Sequence, residues 1–510
     1  MRNLILLIFL VSSLSSFSQS VTITNTGITP NQGGVQKLTY DQIRQLPNSQ
    51  EGDLAYDLTF NCLRHYNGVE WLCVTQENSL IPNAAIVKLL SSSNVEPTGL
   101  ELDSEENIII IGAFNGTVNF GTTSLTSLNS DMFMAKYDKQ GNEIWALQEG
   151  ESSISQVLPT QIVLDLSDNI YVAGSFSGTS KFGVYSFSPS NTNIFLVKYN
   201  PSGLPQIVRS YNSGGLATVT SLSVDISQNV YFAGKFDTSV TLGSSTFTKS
   251  GNDVDGFIAK QNSNGTIGWS HHIICTNEDP IIQLAADLVG NVYLAVSHIN
   301  QFTFLSTNYF SSGGRDFKLF KLNSSGAFQW VEAMSGTGNQ SIYGLKTYGN
   351  DVVIIGGHSS SFIFLSQPIS SLNSSLSFHY FIIRLTGTNR VLDWQKVIHS
   401  TLNFSDFILD LDAIGNVYVC QSFKGQLEAD PFNLQSTTPG FNDVSYLKIA
   451  GNNGEILEAK SLGGFNSDYV WGLQVRNANG KAFLGTDHTS SFFLATEKIP
   501  ANSLSVIVLD

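Results

Sequence analysis

A segment of about 62 residues recurs along most of the chain, and that recurrence constrains the fold more than any other feature. One copy reads Asp165-Leu-Ser-Asp-Asn169-Ile-Tyr171-Val-Ala-Gly174-Ser-Phe176, then Asn193-Ile-Phe195-Leu-Val-Lys198-Tyr199, then Gly203. The next reads Asp225-Ile-Ser-Gln-Asn229-Val-Tyr231-Phe-Ala-Gly234-Lys-Phe236, then Asp255-Gly-Phe257-Ile-Ala-Lys260, then Gly265 and Trp269. The basic residue returns as Lys136, Lys198, Lys260, Lys321, Arg384 and Lys448, at spacings of 62, 62, 61, 63 and 64 by subtraction. Five positions before each stands Asp131, Asn193, Asp255, Asp316, His379 or Asp443. The Asp-x-x-x-Asn pair recurs as Asp103/Asn107, Asp165/Asn169, Asp225/Asn229, Asp287/Asn291 and Asp412/Asn416. Such a period marks a unit that cannot bury its apolar face alone and stacks on its neighbours.

Each unit reads as four short strands, in the third copy Ser221–Val224, Val230–Phe236, Gly256–Gln261 and Thr266–His271. The expected fold is all-β: a seven-bladed β-propeller of four-stranded antiparallel blades over 80–510, with units starting near 98, 160, 220, 282, 342, 407 and 470. The unit exceeds the roughly 40–45 residues of short blades, and the excess falls between second and third strands, as in Ser177 to Thr192. The last unit supplies Trp471–Val475, Lys481–Thr486 and Phe492–Lys498 but lacks a fourth strand. Ala84–Leu90 is expected to complete it, with Leu504–Leu509 as the competing candidate.

The residues Asp-x-x-x-Asn-x-Tyr-x-x-Gly-x-Phe, Asp-x-Phe-x-x-Lys-Tyr and Gly-x-x-x-Trp resemble the bacterial SBBP-type β-propeller repeat family over about residues 98–486. That resemblance implies an exported or surface protein and assigns no reaction. Val296 and Gln421 depart from the pattern at the strand Gly, and Ile207 and Leu457 at the Trp. Gly-x-x-x-Trp also resembles the tryptophan-docking repeat of quinone-dependent dehydrogenase propellers, which implies packing between blades by Trp145, Trp269, Trp330 and Trp394 rather than catalysis.

The ends differ from the middle. Residues 1–18, with Arg2 before the apolar Leu4–Val11, read as a secretory signal peptide, and no later apolar stretch is long enough to span a bilayer. Residues 19–79 form a small N-terminal module with a helical pattern at Leu38–Leu46 and a hairpin signal at Tyr66-Asn67-Gly68. The series Thr39, Gln42, Pro47, Glu51-Gly52, Asn61, Tyr66-Asn67-Gly68 and Trp71 resembles a short module at the start of many bacterial exported surface proteins, implying attachment or spacing. Cys62 and Cys73 could close a small loop; Cys275 and Cys420 read as buried thiols.

The formal net charge of −15 argues against nucleic acid as a partner, since phosphate binding needs a basic face. The Asp and Asn of the repeat suit turn amides. The same residues could instead ring a metal, and Asp410 with Asp412 is the best calcium candidate, being carboxylates two apart. It lacks the oxygen-rich continuation of a calcium loop. The repeat Lys and Arg read as staples to an Asp of the same or the adjacent unit. No His-Glu-x-x-His, Gly-x-Ser-x-Gly or phosphate-loop pattern occurs, and no catalytic residue or cofactor is assigned. The expectation is a secreted or surface-held, monomeric, non-enzymatic scaffold. It would recognise an extracellular protein or glycan through the excursions at 115–126, 177–191, 237–252, 298–313, 359–376 and 424–440. The competing classes are an enzyme (lyase, hydrolase or quinone-dependent oxidoreductase) with a site on the central axis, and a structural envelope component.

Overall fold

The chain is described from a computed structural model. It describes, of residues 1–80, positions 21–24, 27–30, 36–38, 42–43, 46, 49–50, 53–57, 62–66 and 71–73. Of residues 81–510 it describes 85–91 and 94–509, less 92–93, 151–154, 252, 277–278, 337, 370–377, 388–389, 402–406, 439, 465, 477–479, 489–491, 495–496 and 500–502. The expected signal segment lies outside these. Two compact units divide the chain, residues 1–80 and 81–510.

In the first unit, Gln36–Leu38 runs parallel to Leu54–Asp57, which continues antiparallel through Cys62–Tyr66 and Trp71–Cys73. Ile43, Ala55 and Trp71 form its core, and buried Arg64 donates to Trp71 O at 2.9 Å. Tyr66 pairs opposite Trp71, and the expected Asn67-Gly68 turn lies outside the described residues. The Cys62 and Cys73 side chains lie outside the described residues.

The second unit is a β-propeller-type repeat. Its sets of four antiparallel strands begin with Val95–Leu102, Gln156–Leu164, Ala217–Val224, Ile281–Ala286, Gln340–Tyr348, Phe407–Leu411 and Asp468–Arg476. We call these sets units 1 to 7. Seven apolar clusters lie between them, each drawing on the facing sides of two sets. Alternation along a strand divides its side chains: Tyr171 and Ala173 pack toward unit 3, while Ile170 and Val172 pack toward unit 1. One cluster joins Phe483 and Val506 of unit 7 to Ile110 and Phe133 of unit 1.

The last unit corrects the expected strand order. Its third strand is Ser503–Leu509, paired with Lys481–His488, and its fourth is Ala85–Ser91, paired with Ser503–Leu509. Both candidate closing segments are therefore used. Phe492–Leu494 and Glu497–Ile499, expected as the third strand, form a separate hairpin.

The repeat Gly has a local cause. In units 1, 2, 3 and 5 the first strand carries a bulge, at Pro97/Gly99, Pro159/Gln161, Val219/Ser221 and Ile342/Gly344. The bulge drives a carbonyl against the second strand. A Cβ on Gly112, Gly174, Gly234 or Gly356 would lie 2.0–2.3 Å from Glu96, Leu158, Thr218 or Ser341 O. Units 4 and 6, which carry Val296 and Gln421 there, pair their first two strands with no register shift.

Turns and staples join neighbours. Asp165 Oδ1 accepts from Ser167 N and Asn169 N, and Oδ2 from Asn169 Nδ2 and Tyr171 OH. This is the turn role expected for the pair. Lys136 Nζ lies 2.7 Å from Asp103 and 3.5 Å from Pro201 O of unit 2. Arg384 reaches Gly451 O of unit 6 at 2.7 Å. Burial pushes the Asp103 carboxyl up; the Lys136 ammonium and the Asn107 amide together hold it below its ordinary range. Trp269 and Trp394 pack on Gly326 and Gly454 of the following unit and donate to Ser324 O at 3.2 Å and Gly451 O at 2.8 Å. Unit 2 has Ile207 in place of Trp, and Arg209 takes over, donating to Gly265 O at 2.7 Å.

Three outcomes follow from these contacts. Gly234→Val meets the Thr218 carbonyl and lowers unfolding free energy by about 1–3 kcal/mol or more, read by denaturant titration. Lys136→Met leaves Asp103 enclosed without its counter-ion and costs about 3–5 kcal/mol. Lys198→Met costs less, its Nζ lying 3.9 Å from Asp165.

Candidate functional site

The strand pairings place one residue of each first strand at an equivalent position, opposite Ile109, Tyr171, Tyr231, Tyr293, Val353, Tyr418 or Phe483. These residues are Glu101, Val163, Ser223, Ala285, Lys346, Asp410 and Gln474. First strands of consecutive units bond to each other at this level. Ala286 N donates to Ser223 Oγ at 3.1 Å, and one residue on in unit 7, Val475 N donates to Asp410 Oδ2 at 2.7 Å.

Three charged residues occupy this layer. Lys346 Nζ of unit 5 lies 3.2 Å from Asp410 Oδ1 of unit 6, and the Glu101 carboxyl of unit 1 is close enough to feel both. The Lys346 side chain keeps 43 % of its accessibility, so water reaches the cluster although protein surrounds it. Asp410, then Glu101, holds the Lys346 ammonium above its ordinary range. Burial pushes the Glu101 carboxyl up to about 8, with Lys346 opposing and Asp410 adding. The two carboxylates differ in their partners: Asp410 has the ammonium at 3.2 Å and a backbone amide at 2.7 Å, whereas Lys346 acts on Glu101 through space. The arrangement can hold an ion or polar group, and Glu101 can give or take a proton near neutral pH.

The calcium candidate resolves differently from its sequence spacing. Asp410 is engaged by Lys346 and Val475 N, whereas Asp412 accepts from Ile414 N, Asn416 and Tyr418 OH within its own turn. The two carboxylates do not share a point, and among the described residues no three His, Cys, Asp or Glu side chains converge as a metal cage.

Other groupings are structural. His488 Nδ1 lies 2.9 Å from Asp468 and its Nε2 2.7 Å from Thr486 Oγ1, a spacing that resembles a nucleophile–base–acid relay. All three are fully buried, so no substrate reaches the hydroxyl. Cys275 and Cys420 are free, buried thiols; burial pushes Cys275 up to about 12 and Cys420 well above its ordinary range.

The excursions between second and third strands are hairpins, not open loops. Gln301–Phe304 with Thr307–Phe310 docks on Ile273–Cys275 of unit 3, and Phe362–Phe364 with Gln367–Ile369 docks on Met334–Gly336 of unit 4. Gln426–Ala429 docks on His399 and Ser400 of unit 5. Their inward residues Phe302, Phe304, Phe362, Phe364 and Leu427 are buried, so these positions of the expected recognition excursions are not available for contact. Outward residues remain: Val184, Tyr185, Phe310 and Ile363 are exposed.

With this geometry in view, comparison with known proteins adds little beyond the fold. No family model matches the chain. An uncharacterized WD repeat-containing protein of Acanthamoeba polyphaga mimivirus is 25 % identical over 259 residues, 44 % of this chain and 16 % of that protein. The chain thus matches only a small part of that relative's length. Among solved structures, virginiamycin B lyase from Staphylococcus aureus aligns at TM-score 0.40 and 8 % identity, over 84 % of this chain and 100 % of that one. Quinohemoprotein alcohol dehydrogenase from Comamonas testosteroni aligns at TM-score 0.36 and 9 % identity, over 85 % of this chain and 78 % of that one. Similarities this distant carry no activity across.

This first-strand layer was missed in the sequence because its members are far apart. The available signal was the position two residues before the repeat Asp, which holds Glu101, Val163, Ser223, Ala285 and Asp410.

Glu101 generates a pH dependence. Its folded value lies above its unfolded one, so the folded chain holds the extra proton and stability falls as pH rises from about 4.5 toward 8. Glu101→Gln removes that slope and raises Tm at pH 8–9 by on the order of 1–3 °C, with little change at pH 5, read by calorimetry across pH.

Proposed function

We propose that the chain is an exported, seven-bladed β-propeller that acts as a monomeric scaffold and binds a protein or a glycan outside the cell. The seven inter-unit clusters support a closed ring, above all the one joining units 7 and 1. The Arg2-led apolar Leu4–Val11 segment supports export. The repeat residues support kinship with the SBBP-type propellers, and the opening module supports attachment or spacing at a surface.

The observation that carries the binding reading is the alternation along the docked hairpins. Their inward side chains lock them to the preceding unit, so Tyr185 at 43 %, Phe310 at 61 % and Ile363 at 52 % exposure are displayed on braced supports. Large apolar or aromatic groups held in place make good contact anchors at low ordering cost. A second reading has its own observation: the Glu101–Lys346–Asp410 layer supports an axial ligand or reaction site.

Glycan-array and defined-ligand screening of the full chain separates the two. The binding reading expects Tyr185→Ser, Phe310→Ser and Ile363→Ser together to weaken the captured ligand by about 30-fold or more, with Tm unchanged and Lys346→Met without effect. Binding or turnover lost in Lys346→Met and Asp410→Asn, and kept in the hairpin variant, replaces it with the axial reading.

A further inference from the structure

Unit 5 departs from the repeat at the start of its third strand, where His379 stands in place of Asp or Asn. In units 2 and 3 that residue fastens the connection to the next unit. Asn193 Oδ1 accepts from Ser213 N at 3.0 Å, and Asp255 Oδ1 from Cys275 N at 2.9 Å. An imidazole cannot reproduce a carboxylate's two acceptors.

The neighbouring strands change with it. His358 on the second strand pairs in register with His379, His379 pairs with His399 on the fourth, and His399 pairs with Glu428 on the docked hairpin of unit 6. Residues paired across antiparallel strands share a face, so three imidazoles and a carboxylate form one row. His379 Nδ1 and His399 Nδ1 are 2.8 Å apart, with ring centroids 5.0 Å apart and planes at 85°. The His358 ring centroid is 5.4 Å from that of His379. His358 is 5 % exposed, and its Nε2 is enclosed without a hydrogen-bond partner while Nδ1 is engaged by Ser360 O.

We propose that His379 and His399 are a two-nitrogen clamp for a borderline divalent transition-metal ion, of the class of Zn²⁺ or Cu²⁺, with His358 and Glu428 flanking it in the same row. Imidazole nitrogen binds these ions at about 2.0–2.1 Å. Two nitrogens on one such ion stand roughly 3 Å apart, close to the separation already present. The proton now shared between the two Nδ1 atoms leaves, or moves to the outer nitrogen of its ring, and each ring presents a lone pair. Neutral imidazole is the form that ligates. Water completes the coordination, and the order of affinities places Cu²⁺ above Zn²⁺.

The test is titration of the untagged full-length chain with Zn²⁺ and Cu²⁺ by calorimetry, with electron paramagnetic resonance of the Cu²⁺ complex. The expected result is one tight equivalent, nitrogen hyperfine coupling from two imidazoles, and a Zn²⁺-dependent rise in Tm. His379→Gln and His399→Gln each abolish the equivalent, while His271→Gln, in unit 3, leaves it intact. His399→Gln is the safer variant, since His379 occupies the strand-capping position; circular dichroism checks that either is folded. No saturable equivalent in the parent chain, or one that persists in folded His399→Gln, overturns the proposal.

Discussion

Among the described residues of 81–510, each four-stranded set has two apolar faces and no helix covers either. Burial between sets is therefore the interaction on which the rest depends. Tyr171, Tyr199, Tyr231 and Tyr293 are almost wholly enclosed between sheets, and each such side chain contributes about 1.5–3 kcal/mol by leaving water. A row of sets would leave one face bare at each end. The chain instead packs Phe483 and Val506 of unit 7 against Ile110 and Phe133 of unit 1. It also builds unit 7 from both of its ends, with Ala85–Ser91 beside Ser503–Leu509. Pairing residues more than 400 positions apart ties the last interface to the first.

Departures from the repeat come in matched pairs, which is what mutual packing demands. Where the first strand bulges, the second has Gly; where Val296 or Gln421 stands instead, the bulge is gone. Where Trp is missing, at Ile207, Arg209 from the same strand covers the next turn. Where Asp-x-x-x-Asn is missing, in unit 5, Asp351 supplies a carboxylate to Arg384 at 2.8 Å. The conserved element is the filled and neutralised junction, and the residue that fills it can change only with its partner.

This explains what could be read from the chain. The units, the strand types and most boundaries were legible because alternation and Asp/Asn/Gly turns are local signals, as at Val230–Phe236. The role of the basic series as a staple was legible from its period. The order of strands in unit 7 was not. Phe492–Lys498 and Leu504–Leu509 are both short, apolar and strand-forming, and only the partner available to each decides which enters the sheet. The docking of the excursions was hidden for the same reason: nothing local places Ile273–Cys275 beneath Phe302 and Phe304. The charged first-strand layer was not legible because Asp410 meets Lys346 and Glu101 only through folding, from positions 64 and 309 residues away by subtraction.

A scaffold of similar units can still make a single asymmetric site, because the repeat does not constrain every position equally. Residues between sheets must fit a neighbour of nearly fixed shape; in the first-strand layer Val163 and Ala285 do so too, while Ser223 and Asp410 accept from backbone amides of the next unit. There Val, Ser and Ala stand in units 2 to 4 and Gln in unit 7, with Glu101, Lys346 and Asp410 in units 1, 5 and 6. Asp410 receives both the Lys346 ammonium and the Val475 amide, so it stays compensated. Burial pushes the Glu101 carboxyl up, with Lys346 opposing and Asp410 adding. The difference arises from which unit carries which charge, not from any change in the backbone. An arrangement of like sheets thus acquires one distinguishable direction, from unit 1 toward units 5 and 6, through three side chains alone.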